Sequence, residues 1–370
     1  TCLCSHPIAG THGRGCWVRD GVTPLRQQAQ ARAAQASGTA YLFKPATAVR
    51  VRFATNDPTP WPPEVAAGEN PPPGAILDYY LGADAAGPVT LEILDAAGKV
   101  VRTYSSEDRA RTPDPALDPA AYDSLCRAKP TTADCGLPLY WPAPRMAIST
   151  GAGGHRVSWD LHYDPVPSAE AQEVNDDAAT GAVPHRTYPT VNTPWAPPGR
   201  YTVRLTVNGV RYTQPLALRL DPRVTTPAAG LARQASLSRE MYDAAVESGA
   251  AYVKARALSA RLAGMSGEGV AELEAAVDSL APEPPRTRGR GFGRRGGASS
   301  PTTLNAASDA LMAAAMAMQG ADVTPTANEV AACARARTAA GAVMHRWAAL
   351  EARRAALNAK RKAAGLPAID

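Results

Sequence analysis

The sequence predicts an α+β fold, in which an immunoglobulin-like antiparallel β-sandwich precedes three or four antiparallel helices. Residues 45–222 consist of short alternating runs separated by Pro, Gly, Asn and Asp, which is typical of antiparallel strands. After about residue 223, apolar residues recur at helical spacing. The 34 Pro and 30 Gly residues stand apart from long Ala-rich stretches. We therefore expect a sandwich over residues 40–223 and helices over residues 230–370.

About seven strands are expected in the sandwich. The strongest signal is Asn208-Gly209, which joins two alternating runs and is the typical dipeptide of a tight hairpin turn. A second hairpin turns at Gly98. Alternation also places Trp159 on the inward face of its strand, as a core anchor. The predicted strands are 49–53, 76–81, 89–94, 99–104, 156–163, 200–207 and 210–220.

Two long insertions interrupt the predicted strands, at residues 105–150 and 165–198. Both contain many prolines, which cannot donate a backbone hydrogen bond. We therefore expect both insertions to be surface loops without regular secondary structure.

The predicted helices have three apolar faces. Proline and glycine at Gly365-Leu366-Pro367 are expected to end the last helix. Residues 282–300 combine Pro with an Arg/Gly tract and are expected to form a flexible linker. The faces comprise Leu237, Met241, Ala245, Tyr252, Leu258 and Leu262; Leu304, Ala307, Leu311, Ala314 and Met318; and Val343, Trp347, Leu350 and Leu357.

The charge of the chain is concentrated in one tract. The formal net charge is +5, and five arginines of residues 286–295 account for all of it. The tract arginines are Arg286, Arg288, Arg290, Arg294 and Arg295. The tract resembles Arg/Gly segments that bind single-stranded nucleic acid, but a longer link between helices explains it more simply, so no nucleic-acid partner is expected.

No apolar run in the sequence is long enough to span a membrane.

Several segments resemble the C-terminal region of bacterial glycosyl-hydrolase-like proteins with BNR or sortilin-type (VPS10) β-propeller repeats. The stretch 10–27, with Thr11-His12-Gly13-Arg14, resembles the last propeller strand of that family. The segments 139–141, 154–161, 198–205 and 221–223, with Trp159-Asp160-Leu161, are similar to the Ig-like, FlgD-type domain that follows the propeller. The ending 357–367 is similar to the family's C-terminal helices.

The resemblance implies that residues 1–27 are a remnant of the last propeller blade in a secreted or periplasmic protein. The family's glycan-processing site would lie in the propeller, so this chain is expected to be a non-catalytic accessory region. Its implied partner is that propeller, with a glycan as a further candidate and no cofactor. An extracytosolic location also favours a disulfide between Cys126 and Cys135 over two free thiols.

Two side-chain sets that could carry chemistry are better explained otherwise. Cys2, Cys4, His6 and His12 contain zinc-type ligands, but their spacing is poor for a tetrahedral site, so no metal is expected. Ser158, Asp160 and His162 supply a nucleophile, an acid and a base. Alternate residues of one strand point outward in a row about 6.6 Å apart, so Asp160 would separate the other two. No catalytic residue is therefore assigned.

The alternative function is a carbohydrate-binding module, in which exposed aromatic rings stack on sugars. Tyr140, Trp141 and Trp195 are the candidate binding residues, and Tyr79 and Tyr80 belong to the same exposed set. Packing within the core or between domains is the competing explanation for these rings. Hydrolysis of glycosides by this chain alone is the least supported function.

Overall fold

The computed structural model divides the chain into two compact units. The first comprises Thr1–Asp164, Glu173–Val191 and Trp195–Thr225, and the second comprises Pro165–Gln172, Asn192–Pro194 and Thr226–Asp370. The junction at 225/226 lies where the hydrophobic period of the sequence changes. The structure describes residues 8–11, 15–18, 21–52, 64, 74–108, 113, 118–128, 135, 147–167, 182–183, 186–187, 193–283 and 301–369.

Four sheets lie in the described part of the first unit. Strands β1 (Ile8–Thr11) and β2 (Gly15–Val18) form an antiparallel pair of their own, as do β9 (Ala182–Val183) and β10 (Arg186–Thr187). The two larger sheets contain eight strands: a three-stranded sheet of order β3-β5-β8 and a five-stranded sheet of order β4-β12-β11-β6-β7. Their strands are β3 (Ala40–Leu42), β4 (Ala48–Arg50), β5 (Ala75–Leu81), β6 (Thr90–Leu94), β7 (Val100–Ser105), β8 (Gly153–Trp159), β11 (Gly199–Val207) and β12 (Val210–Leu220).

The two larger sheets bury apolar faces against each other. The ring of Trp159 on β8 meets that of Tyr201 on β11 edge to face, with centroids 5.3 Å apart. Trp159 is 0% exposed, which confirms it as a core residue. The neighbouring core side chains are Leu77, Tyr79, Leu81, Val157, Leu91, Ile93, Val203, Leu205, Leu216 and Leu218.

The opposite side of the five-stranded sheet faces solvent and is called the outer face below. Strand pairing places its residues side by side, because directly opposed residues share a face. Hydroxyl and arginine side chains dominate it. Its residues are Val49; Arg211, Thr213, Pro215, Ala217 and Arg219; Arg200, Thr202, Arg204 and Thr206; Thr90, Glu92 and Leu94; and Val100, Thr103 and Ser105.

The prediction that the insertions lack regular structure is wrong. Helix α2 (Pro119–Ala128) lies in the first insertion, and β9 and β10 lie in the second. The prolines concentrate outside α2, and Pro119 stands at its first position, where a missing N–H costs nothing. Sequence patterning also missed α1 (Gln28–Ser37), a mostly exposed helix with Ala34 as its buried residue.

The segment 21–27 is attached to the three-stranded sheet by polar contacts. Arg156 on β8 donates to the carbonyl oxygen of Gly21 (2.9 Å). The Gln27 side-chain oxygen accepts hydrogen bonds from the Tyr41 hydroxyl and from the Lys44 N–H. Of the stretch assigned to the propeller remnant, residues 21–27 therefore contact this unit directly.

Four helices follow Thr225 in the described residues. They are α3 (Ala228–Leu262), α4 (Val270–Leu280), α5 (Leu304–Ala317) and α6 (Ala327–Ala363), and α3 packs against each of the others. The overall α+β class is thus confirmed. None of the helices in the described residues is both long and apolar enough to span a bilayer. The linker predicted at 282–300 lies outside the described residues beyond Glu283.

Buried residues recur about every 3.5 positions along the helices, a repeat that is typical of helices packed at small crossing angles. In α5 the predicted face is buried throughout. In α3 the prediction is only partly correct, since Leu237 is half-exposed and several polar residues share the buried stripe. That stripe comprises Gln234, Ser238, Met241, Ala245, Ser248, Tyr252, Ala255, Ser259 and Leu262.

Polar residues of the α3 stripe hydrogen-bond to neighbouring elements. Gln234 donates to the carbonyl oxygens of Met318 (2.5 Å) and Ala321 (2.7 Å) at the end of α5. Ser308 of α5 donates to the Ala245 carbonyl oxygen at 3.0 Å. These bonds satisfy buried polar groups that would otherwise destabilise the interface.

Ser248 lacks such a partner, which gives a test of this interface. Its hydroxyl is buried and has no hydrogen-bond partner among the described residues. Ser248→Ala is therefore expected to raise the free energy of unfolding by about 1 kcal/mol, since it removes an unsatisfied buried group. Ser308→Ala is the matched control and should lower it by about 1 kcal/mol. Denaturant titration followed by far-UV circular dichroism measures both; destabilisation by Ser248→Ala would contradict the assignment.

Helix α6 ends as predicted at Gly365-Leu366-Pro367. Gly365 adopts φ = 71°, its N–H donates to the Lys362 carbonyl, and the Leu366 N–H donates to the Arg361 carbonyl. This is the Schellman arrangement, which satisfies the last carbonyls of a helix. The chain then folds back, and Asn358 exchanges two hydrogen bonds with the backbone of Ile369.

Candidate functional site

The aromatic residues proposed for carbohydrate binding occupy different environments. Trp195 is half-buried, whereas Tyr140 and Trp141 lie outside the described residues. Tyr79, taken from sequence as exposed, is 0% exposed, and its hydroxyl bonds to the backbone of Ser149. Its position on a strand whose residues are mostly buried removes it from any binding surface. Tyr80 is half-buried.

The surroundings of Trp195 form a corner at the end of β8. His162 pairs with Trp195 in an isolated antiparallel bridge, and the Ala196 N–H donates to the Leu161 carbonyl oxygen at 2.7 Å. The Trp159 indole N–H donates to the His162 carbonyl oxygen at 2.9 Å. The segments 159–162 and 195–196 are therefore joined by backbone contacts.

Leu161 takes a conformation that leucine rarely adopts. Its φ is 64°, in the left-handed region where a side chain with a Cβ is disfavoured. The surrounding contacts compensate, because Leu161 is 1% exposed and its side chain lies in the core. Strand alternation would place His162 outward, but the turn at Leu161 turns it inward. His162 is buried, with 8% of its surface exposed.

The Trp195 ring packs against a histidine ring and an arginine guanidinium group. The His162 ring centroid lies 4.1 Å from that of Trp195, and the Arg52 guanidinium carbon lies 5.3 Å from the Trp195 centroid. Such contacts are typical of aromatic stacking and cation–π packing. This geometry favours a packing role for Trp195 over stacking on a sugar.

A second polar cluster braces the same corner against the edge strand β7. The Arg102 guanidinium lies 3.6 Å from Asp160 and donates to the Tyr163 carbonyl oxygen at 3.2 Å. The Asp164 carboxylate accepts the Thr103 N–H at 2.9 Å, and the Asp164 N–H donates to the Val101 carbonyl. The segment 160–164 therefore covers the edge of the sheet, which protects it from pairing with another chain.

Burial and charge shift the pKa values in this cluster. Burial raises the pKa of Tyr104, and the charge of Asp160 raises it further. Burial also raises the pKa of Asp164, against the opposing hydrogen bond from Thr103. For Arg102 burial works against the charged form, but Asp160 and its other neighbours outweigh it and its pKa is raised. For Asp164 burial therefore outweighs the hydrogen bond from Thr103, whereas for Arg102 the charged neighbours outweigh burial.

The geometry gives no hydrolytic triad. The strand that carries Ser158 ends at Trp159, so the three residues do not continue as one outward row. The Asp160 carboxylate instead accepts the backbone N–H of His162 at 3.0 Å and pairs with Arg102. Asp160 therefore stabilises the turn at Leu161.

The described cysteines include one disulfide pair and one free thiol. Cys126 and Cys135 are joined by a disulfide, with Cα atoms 5.4 Å apart, which ties α2 to the segment beyond it. Cys333 is a buried free thiol. No group of three or more His, Cys, Asp or Glu side chains that could hold a metal ion occurs in the described residues, and Cys2, Cys4, His6 and His12 lie outside them.

The turn Asp221-Pro222-Arg223, one of the segments that carry the family resemblance, is a local ion pair. The Arg223 guanidinium and backbone N–H donate to the Asp221 carboxylate, with one contact at 2.5 Å. These hydrogen bonds lower the pKa of Asp221 to about 2. The lower pKa in the folded state means that this contribution to stability is present above the unfolded pKa and disappears as the pH falls through about 2.

This ion pair predicts a pH-dependent effect of Asp221→Asn. At neutral pH the variant should melt at a lower temperature than the parent chain. Between about pH 4 and pH 2 the difference should shrink, because the parent carboxylate becomes protonated there. Thermal melts across this range measure the effect; a difference that is independent of pH would contradict an electrostatic role.

The second unit contains a groove of about 510 Å3 between α3 and α6. Its lining combines alanines, Met344 and Trp347 with the charged residues Glu247, Lys254 and Glu351. The residues that line this groove include no histidine, cysteine or serine.

The sequence indicated Trp195 as a candidate residue, but it did not place His162 and Arg52 beside the Trp195 ring. Their places in the chain, far from Trp195, gave no spacing signal, and only the turn at Leu161 brings His162 to the ring. Comparison of the chain with protein-family models, curated proteins and solved structures found no match.

Proposed function

We propose that this chain is the non-catalytic C-terminal region of a secreted glycosyl-hydrolase-like protein, and that it stabilises or positions an adjacent β-propeller. The observation that carries the proposal is the β1–β2 hairpin, which pairs with no other strand among the described residues. A two-stranded hairpin is at best marginally stable by itself. Further blade strands alongside it would satisfy its open edges.

The proposed sandwich is of the immunoglobulin type, and strand order supports it. Read along the chain, β3, β5 and β8 take the places of strands A, B and E, while β6, β7, β11 and β12 take those of C, C′, F and G. The Tyr201 hydroxyl near the start of β11 donates to the Pro197 carbonyl at 2.5 Å, like the tyrosine corner of such domains. The helices α3–α6 form the proposed bundle.

The accessory role is also supported by the polar groups of the first unit, because those described below contact other parts of the fold. The cluster of ionisable residues around Arg102 and Asp160 holds the corner against the edge of the sheet. Trp195, the described member of the proposed sugar-binding set, packs on His162 and Arg52. These contacts favour a scaffold over a catalytic module or a sugar-binding site at Trp195.

Co-elution tests the proposed role. The reading frame upstream of Thr1 is expected to encode several propeller repeats, which can be expressed separately from this chain. The separate repeats should co-elute with the chain on size exclusion and lose that association when residues 1–20 are deleted. The deletion spares Gly21 and Gln27, so the contacts of the sandwich remain. An upstream sequence without repeats, or association that survives the deletion, would overturn the proposal.

A further inference from the structure

The outer face of the five-stranded sheet is strongly basic. Four arginines lie on it, Arg200 and Arg204 from β11 and Arg211 and Arg219 from β12, against a single acid, Glu92. Most of the remaining outward positions are threonine or serine. An uneven charge of this size on one flat surface favours a polyanionic partner.

Only one of the four arginines is neutralised on the face. Arg204 donates to both carboxylate oxygens of Glu92, at 2.7 and 2.8 Å. This fork lowers the pKa of Glu92, and the charge of Arg211 lowers it further, so Glu92 stays ionised at neutral pH. Within the described part of the chain, the side chains of Arg200, Arg211 and Arg219 make no hydrogen bond or ion pair, and all three residues are exposed.

The pairing register sets these charges in an extended row. Arg200 lies opposite Ala217, two residues from Arg219, and Arg211 lies opposite Thr206. At about 3.4 Å per residue, the Cα atoms of Arg211 and Arg219 are about 27 Å apart along β12, with Arg200 beside the Arg219 end. A linear ligand with repeated negative groups can contact both ends of this row at once.

The other side chains of the face indicate the class of ligand. The outward positions carry no aromatic ring, whereas single-stranded nucleic acids are held by base stacking on aromatics. Protein interfaces have an apolar or aromatic centre, and the centre of this face carries Thr202, Arg204 and Thr213. Threonine hydroxyls and guanidinium forks suit sugar hydroxyls, carboxylates and sulfates. We infer that the outer face binds an extended acidic polysaccharide, one with carboxylate or sulfate groups along its length.

The test uses the full chain with the five tract arginines changed to glutamine, so that the Arg/Gly tract cannot supply the binding. This parent should bind heparin, with an affinity that falls as salt is added. In it, Arg200→Gln, Arg211→Gln and Arg219→Gln together should weaken heparin binding at least about tenfold at low salt, because three exposed cations are lost. The matched control replaces three exposed arginines of the helices, Arg233, Arg335 and Arg353, and should change the affinity less than about twofold.

Glu92→Gln provides an opposite test. It releases Arg204 from its fork and should raise the affinity for heparin severalfold, whereas Glu272→Gln on α4, with the same change in net charge, should not. The inference is overturned if the parent fails to bind heparin, if the helix control loses as much affinity as the sheet variant, or if single-stranded DNA or anionic vesicles bind more tightly. None of these results depends on the presence of a propeller, so they are distinct from the test of the proposed function.

Discussion

Trp159→Ala is expected to lower the free energy of unfolding of the first unit by about 3–5 kcal/mol. The indole is 0% exposed and contacts Tyr201 across the two sheets, so its removal leaves a large cavity. The variant also loses the hydrogen bond from the indole N–H to the His162 carbonyl, which helps to hold the turn at Leu161. Denaturant unfolding followed by tryptophan fluorescence and circular dichroism measures the loss.

Two variants make this result interpretable. Trp159→Phe retains most of the apolar volume and should cost less than Trp159→Ala. Trp195→Ala removes a half-buried ring from the neighbouring segment and should also cost less. Unchanged stability in Trp159→Ala would show that the two larger sheets do not share the core described above.

Gly74→Ala is expected to destabilise the first unit by several kcal/mol or to prevent its folding. A Cβ on Gly74 would lie 1.9 Å from the Trp159 carbonyl oxygen, a backbone atom that no side-chain rotation can move. The residue also has φ = 99°, where L side chains are strained. The close approach is needed because β5 begins immediately after Gly74, and Ala75 pairs with Trp159.

Gly87→Ala is the matched control for this substitution. No atom lies within 4 Å of the position of its added Cβ, so its effect should stay below about 1 kcal/mol. Soluble yield and thermal melts of the two variants measure the contrast. Equal stability of Gly74→Ala and Gly87→Ala would contradict the pairing of β5 with β8 at this position.

The strands were predictable where local chemistry determines them. Asn208-Gly209 gives the β11–β12 hairpin, with Asn208 at φ = 49° and Gly209 at φ = 79°, because these residues tolerate the left-handed turn. The three-residue strand β3 and the helices α1 and α2 were missed. All three are short, and α1 and α2 each bury a single residue, so their patterns are too weak to distinguish from a loop.

The helical half was predictable in its apolar residues and not in its polar ones. Gln234, Ser238 and Ser259 are buried in α3, although a polar residue usually indicates an exposed face. Their partners lie on other segments, as with Gln319, which donates to the Ser238 hydroxyl at 2.7 Å. A repeat of small and polar residues at 3.5-residue spacing was the available signal.

The candidate site was predictable only as single residues. Alternation along 156–163 placed His162 outward, but the left-handed turn at Leu161 buries it against Trp195. The basic outer face was hidden in sequence because its arginines are spread over two strands and become neighbours only through the pairing register. In the sequence, the net charge of +5 indicated the Arg/Gly tract alone as a basic segment.

Hydrogen exchange of the β1–β2 hairpin tests most directly the claim that this chain supports an adjacent propeller. Amides of residues 8–11 and 15–18 are measured in this chain and in the same chain preceded by the proposed propeller repeats, with β11 and β12 as internal references. We expect rapid exchange of the hairpin in this chain and at least about 100-fold slower exchange when the repeats are present, while β11 and β12 exchange slowly in both proteins. Equally slow hairpin exchange in both proteins would contradict it.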